Sequence, residues 1–249
     1  MSSVHDGPAA QSESPYDSFA EAYSAETEVN LINRYYARPA IVELAGDITG
    51  RSILDAGCGS GSLAATLRER GAIVTGFDSS AAMVDLARQR LGPEADLHVA
   101  DLAEPLPFPD NAFDDSIAAL VLHYLHDWTG PLAELRRVLR PGGRLIAVVE
   151  HPHAIDLMDR QTGHKSAYFQ TRSRTEIWEY GNHSAPVTFW DRPLHAMTDA
   201  FTTAGFRIAV ISEPPPAPDT PPEMLADFVS ESNPTGSFLC FLFFVLVAD

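Results

Sequence analysis

The chain has 249 residues, 45% of them hydrophobic, and a formal net charge of −17 at pH 7. That length suits one α/β domain with an insertion and supplies a sizeable core. The acidity argues against nucleic acid or a membrane surface as partner, because phosphates and anionic headgroups attract basic faces.

Residues 1–15 are polar and rich in Ser, Ala and Pro, without the apolar stretch of a secretory signal. They predict a flexible tail ahead of one domain over 16–249. Helical patterns fill 16–45, a helical cap that Pro39 is expected to break. A short apolar strand, Ile53 to Ala56, then meets a loop with glycine at every second position and a helix over 62–70. Strand signals follow at 72–77, 96–100, 113–120 and 144–150. Helical ones lie at 79–91, with Ser79 or Ser80 as N-cap, and at 131–139, where Arg136 and Arg137 read as a solvated face. Pro141-Gly142-Gly143 reads as the turn before the fifth strand. This alternation predicts a parallel sheet with helices on both faces.

Periodicity weakens over 152–192 while aromatics gather there, so that stretch reads as a lid insertion. A helix over 193–204, a strand over 206–212, a proline-rich run over 213–222, a short helix near 223–229 and a last strand over 237–247 complete the chain. The apolar run 238–248 is 11 residues, short of the roughly 18 that a membrane helix needs, so it reads as a buried strand. Only Cys58 and Cys240 occur. Nothing demands an oxidising compartment, and a cytoplasmic location is expected.

The chemistry concentrates at Asp55-Ala56-Gly57-Cys58-Gly59-Ser60-Gly61. Glycine lets a loop turn sharply beside a ligand, and the helix that follows aims backbone N–H groups at it. Dinucleotide loops place their third glycine five residues after the first; Gly61 lies four after Gly57, and Ser62 stands at the dinucleotide position. The D-x-G-x-G-x-G spacing resembles that of class I S-adenosylmethionine (SAM)-dependent methyltransferases, small-molecule enzymes of the type 11 group in particular. The resemblance implies a doubly wound, Rossmann-like, seven-stranded sheet, mostly parallel with an antiparallel terminal strand. It also implies SAM as cofactor, with S-adenosylhomocysteine as product.

Carried over position by position, the resemblance puts Asp55, Gly57, Cys58 and Gly59 against the cofactor. Asp78, at the end of the second strand, would accept from the ribose hydroxyls, with Ser79 and Met83 beside the nucleoside. Asp101 and Leu102 would meet the adenine, and Ala119 the methionine part. Tyr16 and Tyr23 resemble the N-terminal cap that closes over the cofactor, and Arg38 would lie near its carboxylate. The N-P-P-Y signature of base-flipping enzymes is absent. Ala118-Ala119-Leu120-Val121 stands in its place, which points to a small-molecule acceptor. Tyr168, Trp178 and Trp190 are the expected acceptor-binding aromatics.

Methyl transfer asks the protein mainly to hold a nucleophile in line, and a hydroxyl or protonated amine also needs a base. His151, after the fifth strand, is the first candidate and His123, after the fourth, the second. They tilt the expectation toward O- over N- or C-methylation of an apolar or aromatic metabolite. His151-x-His153 with His123-x-x-His126 has no Cys or carboxylate cluster beside it, so no metal is expected. A SAM-binding protein of the same fold without methyl transfer, such as a cyclase or regulator, is the alternative; an NAD-dependent oxidoreductase fits the glycine spacing less well.

Overall fold

Four helical segments lead into the sheet of the computed structural model, which describes residues 14–163, 167–180, 183–230, 233, 236 and 238–249. Of the tail expected over 1–15, residues 1–13 lie outside the described residues. A 3₁₀ turn over Pro15–Ser18 precedes α1 (Ala20–Thr27), and a π-helical segment, Leu31–Ala37, runs straight into α2 (Arg38–Ala45). Pro39 does not break this rod. It occupies the first turn of α2, where a missing N–H is tolerated. The Tyr35 carbonyl four residues back accepts instead from the Ala217 N–H at 2.7 Å.

The sheet then alternates as expected: β1 (Ser52–Ala56), α3 (Ser62–Glu69), β2 (Ile73–Asp78), α4 (Ala81–Leu91), β3 (Asp96–Val99), β4 (Phe113–Ala119), α5 (Thr129–Val138) and β5 (Leu139–Glu150). Pro141-Gly142-Gly143 lies inside β5 rather than ahead of it. The register with β4 jumps there, from Phe113 opposite Leu139 to Asp115 opposite Arg144. Gly143 is forced at this jump, since a Cβ would lie 2.8 Å from the Arg140 carbonyl oxygen and 2.9 Å from that of Asp114.

The insertion has more order than its sequence suggests. It folds as α6 (Pro152–Gln161) and a hairpin of β6 (Arg172–Tyr180) and β7 (His183–Asp191), a separate two-stranded sheet. After it come α7 (Leu194–Thr203), β8 (Phe206–Ser212), a 3₁₀ helix over Pro222–Phe228 and β9 (Phe241–Ala248).

The seven-stranded order is β3-β2-β1-β4-β5-β9-β8. The last strand, β9, runs antiparallel to both neighbours, β5 and β8. Its run Phe241-Leu242-Phe243-Phe244 is buried throughout, as a strand covered on both faces requires. Apolar layers fill both sides. Leu132 and Leu135 of α5 and Phe201 of α7 pack on one face, and Ile41 of α2 and Leu67 of α3 on the other. At the amino-terminal ends of the central strands, buried Asp115 accepts from Arg51 (2.5 and 2.9 Å) and Arg144 (2.8 and 2.9 Å). That triad ties the residue entering β1 to β4 and β5, at the opposite end of the strands from their carboxyl ends. Strand order reverses between β1 and β4, where open α/β sheets bind ligands.

Candidate active site

At that reversal lies a cavity of about 500 Å³, within the usual range for small-molecule sites. The glycine loop forms its floor. Gly57, Gly59 and Gly61 all have left-handed backbones, with φ of 75°, 52° and 78°. The Gly57 and Cys58 N–H groups both donate to the Phe77 carbonyl at 2.9 Å, fastening the loop to the end of β2. Opposite the loop, Leu120 takes φ 57°, a strained value for a branched residue, and donates its N–H to Val148. This bend presses Val121 over Gly57, with no room for a Cβ between them.

Asp78 is fixed by two backbone donors, Gly59 N–H to Oδ2 and Ser80 N–H to Oδ1, each at 2.9 Å. Burial nevertheless pushes its carboxyl above the ordinary value. Asp55 is more unusual. It is buried, its Oδ2 has no hydrogen-bond partner, and burial together with the charge of Asp78 lifts its pKa to about 7. An orphaned carboxylate oxygen on a cavity wall fits a site built for a cationic or hydrogen-bond-donating ligand. Cys58, whose thiol burial pushes well up, is free, as is Cys240.

The roof comes from three distant segments. Ser14, Pro15, Tyr16 and Tyr23 enter from the N-terminal side, Tyr124 from after β4, and Pro186, Val187 and Thr188 from the hairpin. The Tyr16 and Tyr124 hydroxyls share a short hydrogen bond. Burial raises the pKa of both tyrosines well above the ordinary value and that of Tyr23 to about 12, so the roof is neutral near pH 7. Asp17 fastens this roof to α4, accepting from Ser80 Oγ at 2.5 Å and the Ala82 N–H at 3.3 Å. Behind it, Trp178 stacks on Tyr23 with centroids 5.9 Å apart, and Phe19 and Phe189 complete an aromatic cluster. Arg174 anchors the hairpin to the end of β5 through paired 2.9 Å bonds to Glu150.

All thirteen residues expected at the cofactor line this one cavity: Tyr16, Tyr23, Arg38, Asp55, Gly57, Cys58, Gly59, Asp78, Ser79, Met83, Asp101, Leu102 and Ala119. Neither expected base does. His151 is the N-cap of α6, its Nδ1 facing the N–H groups of His153 (3.2 Å) and Ala154 (3.4 Å), while Nε2 meets Glu213 at 2.7 Å. His123 is buried behind Tyr124 and against Phe189 with neither ring nitrogen bonded. Burial drops its pKa to about 3, leaving a neutral ring. The expected acceptor aromatics also lie off the wall. Trp178 supports the roof from behind, Trp190 packs on His126, and Tyr168 faces a small crevice beside α6. Sequence reasoning passed over Tyr124, Val121 and Val187, which do line the cavity. Tyr124 directly follows His123, one of the two candidate bases. Val187 lies in a hairpin whose pattern gave no strand signal.

Residues 54–147 match a family profile described as a methyltransferase domain. Over this segment the chain resembles methyltransferase domains. The segment contains the glycine loop, Asp78, Asp101 and the strained turn after β4. Malonyl-[acyl-carrier protein] O-methyltransferase of Serratia marcescens is 43% identical over 97 residues, 39% of this chain and 37% of that one. Demethylmenaquinone methyltransferase of Tropheryma whipplei is 32% identical over 151 residues, 60% of this chain and 63% of that one. The chain thus spans less than two thirds of the length of these curated relatives. Among solved structures, a putative SAM-dependent methyltransferase from Listeria monocytogenes superposes with a TM-score of 0.66 at 22% identity, covering 91% of this chain and 99% of the other. The [4+2]-cyclase SpnF superposes at 0.61 with 18% identity, 94% of each chain covered. These likenesses carry the fold, which alone does not fix the chemistry.

Among the described residues no helix is long and apolar enough to cross a membrane, and no group of three His, Cys, Asp or Glu side chains is placed to hold a metal.

Proposed function

We propose that this chain is a SAM-dependent methyltransferase acting in the cytoplasm on a small, apolar or aromatic acceptor. The observation that carries the reading is the convergence, in one cavity, of the glycine loop, the orphaned Asp55 carboxylate, Asp78 and Asp101 with Arg38, the one arginine that lines it among the described residues. This donor set fits the group. Asp78 would hold the ribose hydroxyls, Asp101 the adenine amino group, Asp55 the ammonium and Arg38 the carboxylate. SAM, when bound, supplies a methyl group on a sulfonium. The protein's part is to orient the acceptor and exclude water, which the aromatic roof and the apolar Val121, Leu125 and Val187 serve.

O-methylation by way of a histidine base needs an imidazole at the acceptor, and no histidine among the described residues lines the cavity. The reading therefore centres on an acceptor atom that is nucleophilic without a histidine base. The relatives are named for demethylmenaquinone and for a malonyl-acyl carrier protein. The apolar wall favours an acceptor more like the former.

Calorimetric titration with SAM, S-adenosylhomocysteine and NAD tests the cofactor. Both adenosyl ligands should bind, and Asp78→Ala should weaken each by about tenfold or more, the effect of losing a charge-assisted hydrogen bond. Binding of NAD alone would overturn the reading. Methyl transfer from labelled SAM to a panel of hydroxylated aromatic rings then separates an enzyme from a SAM-binding protein without transfer.

A further inference from the structure

At the end of the cavity near α3, the arrangement of charges outside the wall is as specific as that on it. Arg38 lines the cavity and Glu28 is the one carboxylate among the described residues in a salt bridge with it, at 3.6 Å. That distance is a loose ion pair, too long for a hydrogen bond. Glu28 is held elsewhere. Its Oε1 meets Arg90 Nη1 at 2.8 Å and accepts from the Ser62 hydroxyl at the start of α3. Arg90 also donates its Nε–H to the Ser60 carbonyl of the glycine loop at 2.9 Å. Neither Glu28 nor Arg90 lines the cavity. Burial works against a charged Glu28, yet Ser62 and the two guanidiniums hold its carboxyl below the ordinary value.

We propose that Arg90 is a positioning residue that draws Glu28 away from Arg38 and so keeps Arg38 open to an anionic group of the ligand. The proposal rests on the adenosyl-ligand reading above and assigns a role to a residue outside the site. Without Arg90, Glu28 keeps its charge and loses its closest counter-ion. Arg38 is then the remaining salt-bridge partner of this carboxylate among the described residues, Arg34 being engaged at the Glu28 backbone carbonyl, so the carboxylate moves onto Arg38 and the anion subsite closes from within. Two effects act in the same direction. Arg38 becomes occupied, and an uncompensated carboxylate stands beside the ligand's own.

The test compares S-adenosylhomocysteine, which carries an amino-acid end, with 5′-methylthioadenosine, which lacks it. Arg90→Gln should weaken the first by about tenfold, one charge-assisted contact, and leave the second unchanged. Adding Glu28→Gln should restore S-adenosylhomocysteine binding, since the competing carboxylate is gone. An equal fall for both ligands would overturn the proposal, because it would mean that Arg90 acts on the glycine loop through Ser60. A double variant no better than Arg90→Gln would overturn it as well. Wild-type protein that binds neither ligand would instead overturn the adenosyl reading beneath it.

Discussion

Gly57→Ala probes the site at the point where backbone conformation and packing meet. Its φ of 75° costs an L-residue about 1–2 kcal/mol. The new Cβ would lie 2.8 Å from Val121 Cγ2 and 3.0 Å from Val121 Cβ. Valine is stiff about χ1, so relief requires the turn after β4 to move, an overpacking cost of about 1–3 kcal/mol. The expected loss is therefore about 2–5 kcal/mol by urea denaturation, a large share of the 5–15 kcal/mol typical of a domain. Gly59→Ala is the internal control. Its φ is 52°, but its Cβ would meet nothing within 4 Å, so only the conformational share of about 1–2 kcal/mol should be lost. Measured against Val121→Ala, Gly57→Ala should cost less, because the 2.8 Å contact with Cγ2 is gone while only the 3.0 Å contact with the Cβ at position 121 remains. S-adenosylhomocysteine affinity should follow the same ranking. A Gly57→Ala protein within about 0.5 kcal/mol of wild type, or one that Val121→Ala does nothing to relieve, would refute the reasoning.

Two further outcomes follow from groups away from the cavity. Burial works against ionising Asp115, but Arg144 and Arg51 outweigh it and hold its pKa below the ordinary value. Its stabilisation is therefore present above the unfolded pKa near 4 and is lost as pH falls through the lowered folded value. Asp115→Asn should cost about 2 kcal/mol at pH 7, with both arginines partly solvated. The difference from wild type should shrink as the unfolding titration is carried toward pH 3; a constant difference would rule out the linkage. His151→Ala should remove the α6 cap and about 1 kcal/mol while leaving the methyl-transfer rate intact. A collapse in rate at unchanged melting temperature would return His151 to the role of base.

The lining of the cavity was legible because it is local. Asp55, the three glycines, Asp78 and Asp101 each sit at or just past the end of a strand, and strand ends follow from apolar runs and turn residues. Once β1, β2, β3 and β4 are in place, the loops after them converge without further information. The hairpin was not legible, for a physical reason. In β6 the residues that alternate inward are Arg172, Arg174, Glu176, Trp178 and Tyr180, and three of these five are charged. Arg174 is satisfied by Glu150 and Asp191 beneath it, so the strand has the required two-residue period without an apolar one. A hydropathy pattern does not register an alternation whose buried face is paired charge.

The two histidines lie off the cavity, and for one of them the sequence already carries the reason. His151 precedes Pro152, and proline is most at home in the first turn of a helix, where its missing N–H is not needed. An N-cap residue must accept from the N–H groups that follow, and His151 Nδ1 faces those of His153 and Ala154. Read with Pro152, the position after β5 signals a helix start before it signals a base. His123 follows β4 by only four residues, but the left-handed turn at Leu120 sends Tyr124 into the cavity and leaves the ring before it in the core. Proximity to a strand end thus places the backbone of a residue near the site. Which side chain reaches the cavity is set by the turn in between, and here that turn selects a tyrosine over an imidazole.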